Sequence, residues 1–535
     1  EGRKVYICYD SDLATKPEVE RSASTLCGEL RQRGAIPMLV TLPSEDGRKV
    51  GLDDYLIKHG GEAFRSVLKS AVESGDPIEE IISAYNERFA QVNEGGKTFI
   101  MDHVYKPEIK RHVMRLSDTK SFMELMAGAF VMKTDRTGKA VTVPAAKVWL
   151  ESPKRRQYAD GIYFDPSEKE NSPRRYNLWR GFSYEPREGS WERLHAHIRE
   201  VICNGDENVY DYVIKWMARL VQRPGERGEV AIVMRGKEGV GKGTLANALI
   251  ELLRQHAAAV SQASSVVGNF NGLLEACVFL FADEAFFAGD RSQRGPLMTL
   301  ITEPQLAINS KYRDHKMVAN YIHMMMASNE DWVIPAGIDA RRFLVLDVSD
   351  RHMGDKEYFG AIAEELENGG YAAMLHDLLG MDLKGFDHRS PPKTAALDEQ
   401  KRLSFDTFNR WWYDALQRGY VVEENGITEP IMHRWFRALP RELVRASYEA
   451  FARGRHERRP LSVEALGKRL RGVGVGDGPK LRNTIVGVTR DGYRLERGQS
   501  RTYAPGTLSE ARAAFERAMG MTSPWEPVDD DPTLE

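Results

Sequence analysis

The chain has 535 residues, which at ~100–200 residues per domain amounts to roughly three to five domains. Hydrophobic residues make up 42% and charged residues 29%, enough apolar material for each domain to bury a core and to exclude wholesale disorder. The 75 Lys+Arg nearly balance the 78 Asp+Glu at a net −3, which argues against a wholly basic, histone-like protein but allows a local basic face. Cys8, Cys27, Cys203 and Cys277 are too few and too scattered for a disulfide framework or a CxxC zinc site, and point to a reducing compartment. No apolar run approaches the ~18 residues of a membrane span. The N-terminus, Glu1-Gly2-Arg3-Lys4, runs at once into a strand-like segment rather than a secretory leader. A start without Met reads as a piece of a longer protein.

Lys4–Tyr9 predicts a strand ending in Asp10-Ser11-Asp12. Val19, Ala23, Leu26, Cys27 and Leu30 recur at helical spacing up to Gly34, and Ile36–Leu42 is a second strand. Asp53 of Gly51-Leu52-Asp53-Asp54 can cap a short helix ending at Gly60-Gly61. This β-α-β-α order implies a parallel sheet. Helices are expected over Ala63–Ser74, Pro77–Gln91, Trp191–Ile202 and Val209–Gln222, with a basic, loop-rich stretch between the two pairs. Four apolar runs, Val230–Met234, Val278–Ala282, Ile322–Ala327 and Phe343–Val348, read as central strands of a second sheet. Residues 355–440 look helical, with Trp411, Trp412 and Trp435 as core or interface candidates. Residues 441–520 hold 17 Lys+Arg against 9 Asp+Glu, a balance of about +8. Two helices, then strands at Leu481–Val488, Gly492–Leu495 and Arg501–Tyr503, suggest a winged helix there. Val463–Leu470 is its recognition helix, turning Lys468, Arg469 and Arg471 to phosphate. A short acidic tail ends the chain.

The strongest chemical signal is Gly236-Lys237-Glu238-Gly239-Val240-Gly241-Lys242-Gly243-Thr244, set between a strand and a helix. In that setting a glycine-rich turn lets successive N–H groups converge on an anion, and the helix N-terminus adds its positive dipole end. Lys242 can then reach the β and γ phosphates of a nucleotide. The usual phosphate loop places Ser or Thr directly after this Lys as a Mg²⁺ ligand. Here Gly243 stands there and Thr244 follows, so either Thr244 supplies the hydroxyl from a shifted register or the metal has another ligand. The strand Val278–Ala282 ends in Asp283-Glu284. Asp283 suits Mg²⁺, and Glu284 suits orienting and deprotonating an attacking water. A third strand delivers Asn329, suited to sensing a γ-phosphate. Arg341 and Arg342 suit an arginine finger that acts across a subunit boundary.

In order and spacing these elements resemble superfamily 3 helicases, specifically the primase-helicases of phages, plasmids and mobile islands. Asn177–Phe182, Leu300-Ile301-Thr302-Glu303, Ser328-Asn329-Glu330 and Ala340–Phe343 add to the likeness, which is good over 177–350 and weaker beyond. The resemblance implies an AAA+-like ATPase that binds ATP and Mg²⁺, forms a homo-oligomeric, hexameric ring and moves on single-stranded and forked DNA. It also implies a basic pore hairpin, by position Asn309–Val318, with Lys311, Arg313, His315 and Lys316 as DNA contacts. Asp10, Asp12 and the acidic turn after Gly51 resemble the latter part of a Toprim domain, where paired carboxylates hold a divalent metal. That family also uses a Glu on an earlier strand, so primase activity stays open.

The resulting expectation is an α/β protein in five segments. Residues 1–75 form a partial Toprim-like module, 76–205 a mostly helical spacer, and 206–440 an AAA+-like P-loop ATPase core with a helical extension. Residues 441–520 form a winged-helix-like DNA-binding domain and 521–535 an acidic tail. The implied function is an ATP-dependent replicative DNA helicase, the C-terminal part of a primase-helicase, at work in a bacterial cytoplasm and encoded by a phage or mobile element. Two rivals stand beside it. One is an antiviral nuclease in which an ATPase gates a Toprim module; the other is an origin-binding or loading protein that uses ATP as a switch.

Overall fold

A computed structural model describes residues 2–11, 17–43, 50–73, 75–109, 111–134, 140–167, 172–268, 271–286, 291–309, 315–334, 340–421, 435–457, 459–488 and 495–527. The chain divides into two units, Glu1–Leu178 and Trp179–Glu535.

In the first unit the strands Lys4–Cys8 and Ile36–Val40 pair in parallel across the helix Pro17–Gln32, as the β-α-β reading requires. The short strand Val72–Glu73 adds antiparallel to the second. The helix expected to stop at Gly60-Gly61 instead runs from Leu52 to Lys69, with Gly60 at φ 77° marking a kink inside it. Glycine tolerates that left-handed conformation, so it bends the helix here without ending it. Asp76 caps the next helix, Pro77–Arg88, through the Ile78 N–H, with Pro77 in the first turn.

The mostly helical spacer expected over 76–205 is a misreading. Arg111–Ser117, Lys97–Lys106, Phe89–Glu94 and Gln157–Tyr158 form a four-stranded sheet in that spatial order. The deciding signal is Gly95-Gly96. Both have positive φ, 58° and 73°, and Glu94 pairs with Lys97 across them. A two-residue hairpin turn with both central residues at positive φ matches the right-handed twist of its strands. Tyr85, Phe89, Phe122 and Trp149 pack as an aromatic core beneath this sheet. The Asp102 carboxylate is buried, and Arg88 (3.1 Å) and Arg115 (2.6 Å) neutralise it.

In the second unit, α1 (Glu192–His197) and α2 (Glu207–Gln222) precede a five-stranded sheet. Its strands are β1 (Ala231–Arg235), β2 (Ala257–Val260), β3 (Phe279–Asp283), β4 (His323–Ser328) and β5 (Phe343–Asp347). All pair in parallel, in the order β2-β3-β4-β1-β5. The four apolar runs supply β1, β3, β4 and β5. The alanine-rich edge strand β2 lacks the β-branched signature and escapes such a reading. The helix α3 (Lys242–Leu253) follows β1.

Beyond the sheet, Thr407–Arg418 packs with the C-terminal elements rather than with the sheet. Phe408, Trp411 and Trp412 share one buried core with Val444, Tyr448, Leu466, Leu470 and Phe515. The C-terminal order is helix, short strand Leu439–Pro440, helices Arg441–Gly454 and Val463–Gly472, then the strands Gly476–Val488 and Leu495–Ala504. The three strands form an antiparallel sheet with Leu495–Ala504 in the middle. The two short strands expected at 492–503 are thus one strand beginning at Leu495. The closing helix Leu508–Met519 starts at a capping box of Thr507 and Glu510 and ends at Gly520 in the left-handed region. Lys401 donates to the Gly520 carbonyl, and Asp398 accepts from the Thr522 N–H and hydroxyl, tying this helix's end to the helix Ala395–Leu403.

Trp411 is fully buried, and its indole N–H donates to the Ser447 hydroxyl at 3.0 Å. Trp411→Ala should therefore cost about 3–5 kcal/mol. The check is the urea midpoint of the unfolding step that includes residues 407–519, which should fall for Ala and largely recover for Phe.

Candidate functional site: a phosphate loop and two cavities

The parallel register determines what meets at the C-terminal edge of the sheet. Asp283 lies opposite Ala327, and Arg235 lies between Ser328 and Asp347. The loop after β1, the acids after β3 and the Asn after β4 therefore leave the sheet side by side. Glu238–Thr244, Asn247, Asp283, Glu284, Asn329 and Phe359 line one cavity of about 460 Å³.

Glycine is required in this loop at Gly239 and Gly241, whose φ values are 77° and 95°. At Gly241 the space is also taken. A Cβ there would sit 2.5 Å from the His197 ring and 2.6 Å from the Phe359 ring. Lys242 is largely buried, and its ammonium donates to the Gly236 carbonyl (2.5 Å), the Lys237 carbonyl (2.9 Å) and Asn329 Oδ1 (2.6 Å). Burial lowers its pKa, against the opposing pull of the Glu284, Asp283 and Glu238 charges. Glu284 occupies the left-handed region at φ 54°, with its N–H on the Ala327 carbonyl and its carboxylate accepting from the Ser328 hydroxyl at 3.1 Å. A non-glycine residue held there is strained backbone that its surroundings must impose. Thr244 and Gly243 both border the cavity, so a hydroxyl is present one residue beyond the usual place.

The sequence alone did not reveal the outer clamp on this loop. His197 sits at the end of α1 and is fully buried. Its Nε2 contacts the Gly241 carbonyl at 3.2 Å, and its Nδ1 contacts the Tyr358 hydroxyl at 3.2 Å. The Gly354 N–H donates to the Gly239 carbonyl at 3.1 Å. Tyr358 and Phe359 belong to the helix α4 (Lys356–Glu365), capped by Asp355, and His352 stacks on Tyr358 at 3.8 Å. Two loop carbonyls, those of Gly239 and Gly241, are thereby held by groups outside the loop. A lone His and an aromatic pair 160 residues apart carry no such signal in sequence.

Arg341 and Arg342 are not in this cavity. They lie in a short 3₁₀ turn before β5, at the opposite edge of the sheet, and line a second cavity of about 730 Å³. Of the expected DNA contacts, Lys311 and Arg313 lie outside the described residues. The hairpin strands Gln305–Ile308 and Lys316–Ala319 are antiparallel, with His315 exposed. Lys316 is ion-paired with Glu275 at 2.5 Å. On the helix Val463–Gly472, Lys468 is exposed. Arg469 is held by Asp406 (2.6 Å) and Asn409 over the Phe408 ring, which makes it structural. Arg471 lies 3.9 Å from Asp477. In the first unit, carboxylate oxygens of Asp10, Asp53 and Asp54 all lie within 3.5 Å of where a Cβ on Gly51 would be. Asp12 lies outside the described residues. Among those residues no group of three or more His, Cys, Asp or Glu is arranged to hold a metal, and no helix is long and apolar enough to cross a membrane.

Known proteins add to this geometry. Residues 234–342 match a family of unknown function, DUF5906, and residues 1–63 match a domain of unknown function, DUF3854. A DNA primase-polymerase of Nitratiruptor phage NrS-1 is 28% identical over 163 residues, 28% of this chain and 22% of the phage protein. The chain thus matches less than a quarter of that relative's length. Two apo structures of the NrS-1 C-terminal region superpose with TM-scores of 0.53 and 0.54, at 16% and 15% identity. Each covers 80% of this chain and essentially all of the phage region. The chain is therefore a mixed α/β protein with the fold of that region, and part of it is similar in sequence to a phage DNA primase-polymerase.

His197 is kept neutral, its pKa pushed down to about 4 by burial. An unfolded His titrates near 6.5. Between those values the unfolded chain takes up a proton that the folded chain refuses, so stability should fall as pH drops from about 6.5 to about 4. His197→Gln should flatten that part of the curve, measured as urea midpoints at several pH values. The buried His323, pushed down to about 3, would still give a slope of the same sign.

Proposed function

We propose that the chain is the ATP-hydrolysing, DNA-translocating part of a phage-type replication protein, built on an AAA+-type P-loop core of the superfamily 3 helicase kind. The observation that carries this reading is the single cavity where Lys242 reaches Asn329 at 2.6 Å with Asp283 and Glu284 on the same wall. Loop, acids and Asn leave three adjacent parallel strands, as ligand sites in open α/β sheets do. The order β2-β3-β4-β1-β5 sets the glycine-rich loop after the strand between β4 and β5, at the carboxyl edge where the acids and the Asn also emerge. The similarity to a DNA primase-polymerase supports a place in DNA replication inside a bacterial cell.

The donor set suits Mg²⁺: one carboxylate, Asp283, and one hydroxyl, Thr244, leaving room for phosphate oxygens and water. When bound, the ion would neutralise charge on the β and γ phosphates. Lys242 would exchange its loop carbonyls and Asn329 for phosphate oxygens. Glu284, aimed by the Ser328 hydroxyl, would orient water and accept its proton, while Asn329 would contact the γ-phosphate. Arg341 and Arg342, remote from this cavity in their own chain, would act on a neighbour's nucleotide in a hexameric ring. Lys311, Arg313 and His315 would meet single-stranded or forked DNA at the hairpin tip. Lys468 would meet DNA from a winged-helix-like module, which the helix and strand order over 407–504 supports. Asp10 and Asp12, with Asp53 and Asp54 nearby, belong to a partial Toprim-like module and are its candidate metal ligands.

Glu284→Gln should keep ATP binding and reduce hydrolysis by about 10²–10⁴-fold. Unwinding of a tailed duplex should be lost with it, and Lys242→Ala should lose nucleotide binding as well. Steady-state phosphate release and a strand-displacement assay decide it. Hydrolysis by Glu284→Gln at the parent rate would overturn the catalytic assignment.

A further inference from the structure

The second cavity has a composition unlike that of the first. Six of its lining residues are cationic: Arg227, Arg341, Arg342, Arg389, Lys393 and Lys401. Among the described residues that line it, Glu229 is the one acid. Arg341, Arg342 and Lys393 have no carboxylate within ion-pair reach among the described residues. Lys401 is buried, which lowers its pKa, and it spends its charge on Asp398 and the Gly520 carbonyl. The cations arrive from the chain before β1, the turn before β5 and the segment 389–401. Three separate stretches therefore aim like charges into one concavity, which is a costly arrangement unless something anionic fills it.

Glu229 fills it in part. It is one of the five described non-glycine residues with positive φ, at 57°, so its backbone is strained just before β1. Its side chain is mostly buried. It accepts from Arg389 Nε and Nη2 and bonds His388 Nε2 (3.0 Å), and it is ion-paired with Arg227 at 3.1 Å. Burial alone would raise its pKa, but these donors and the Arg389 and Arg227 charges hold it below the ordinary carboxylate value. Arg389 itself is 67% exposed, so its pair with Glu229 is solvent-screened and readily exchanged.

We propose that this cavity is a polyphosphate-binding site gated by Glu229, in which Arg389 and Lys393 join Arg341 and Arg342 as receptors. The internal carboxylate stands in for the ligand, and a phosphate group takes over Arg389 in the bidentate geometry that guanidinium favours. Polyphosphate fits better than a DNA strand because none of the lining residues is aromatic, and single-strand sites rely on base stacking. The ligand is not the nucleotide on the chain's own loop. β5 separates the two edges by five residues, roughly 15 Å. Two sources share this chemistry: a free polyphosphate, or the triphosphate held on the loop of a second copy. The second source rests on the proposed nucleotide site; the first does not.

The test uses the full chain with Lys242→Ala to silence the phosphate loop, titrated calorimetrically with inorganic triphosphate at low salt. Binding should persist in this background. Adding Arg389→Ala and Lys393→Ala should weaken it about tenfold or more. Glu229→Gln should tighten it several-fold, and Lys393→Glu, a change on an exposed side chain, should abolish it without touching the strained position. Loss of all binding with Lys242→Ala alone, or no change on altering Arg389 and Lys393, would overturn the site. Displacement of triphosphate by an oligothymidine of equal phosphate concentration would overturn its ligand class. To separate the sources, the Lys242→Ala protein is mixed with the Arg389→Ala, Lys393→Ala double variant. ATP hydrolysis restored by mixing assigns the ligand to a second copy; binding without restoration assigns it to free polyphosphate. Triphosphate binding by a chain that proves inactive toward ATP would leave this site standing while the nucleotide reading fails.

Discussion

The parallel pairing of β1 between β4 and β5 is the constraint from which the rest follows. All three strands are buried, and β1 satisfies its peptide groups on one side through β4 and on the other through β5. A slip of one residue would turn every side chain to the opposite face. Once the register is set, Arg235 meets Asp347 at 2.7 Å and also pairs with Glu399, which locks β1, β5 and the helix Ala395–Leu403 at one edge. The glycine-rich loop begins on the next residue. Its position is thus inherited from the sheet, and so are those of Asp283 and Asn329.

A glycine loop fixed at its strand end still has freedom at its tip. The His197 and Gly354 contacts remove it by engaging the Gly241 and Gly239 carbonyls from outside. The loop conformation is then set before any ligand arrives, so less ordering entropy opposes binding. Burial keeps the His197 imidazole neutral, with one ring nitrogen on the Gly241 carbonyl and the other on the Tyr358 hydroxyl. Lys242, meanwhile, rests on Asn329 and two carbonyls, a set of acceptors that phosphate oxygens can replace one for one.

Much of this was legible in the chain. A buried parallel strand must be a continuous apolar run, so β1, β3, β4 and β5 announce themselves, and glycines before a Lys between strand and helix announce the loop. Other parts were hidden for physical reasons. β2 is almost wholly alanine, which favours no strand. The Gly95-Gly96 hairpin was overlooked because helical spacing on its upstream side masked a turn that only backbone sign reveals. Charge was the least legible of all. Lys316, Arg469 and Arg471 read as free cations, yet Glu275, Asp406 and Asp477 stand beside them. A sequence records how many charges there are and leaves their partners to the fold.

That redistribution gives the near-zero net charge its meaning. The sheet carries acids at one edge, with Asp283, Glu284 and Glu238 around a single lysine, and at the other edge six cations around a single glutamate. Opposite charge at opposite ends of parallel strands makes the unit electrostatically polar along the strand axis. Under the proposed function, a head-to-tail contact would bring the basic cavity of one copy to the acidic edge of the next, and a repeated head-to-tail contact closes into a ring when its rotation permits. A nucleotide at such a contact would add negative charge where cations are in excess, strengthening the contact until hydrolysis removed it.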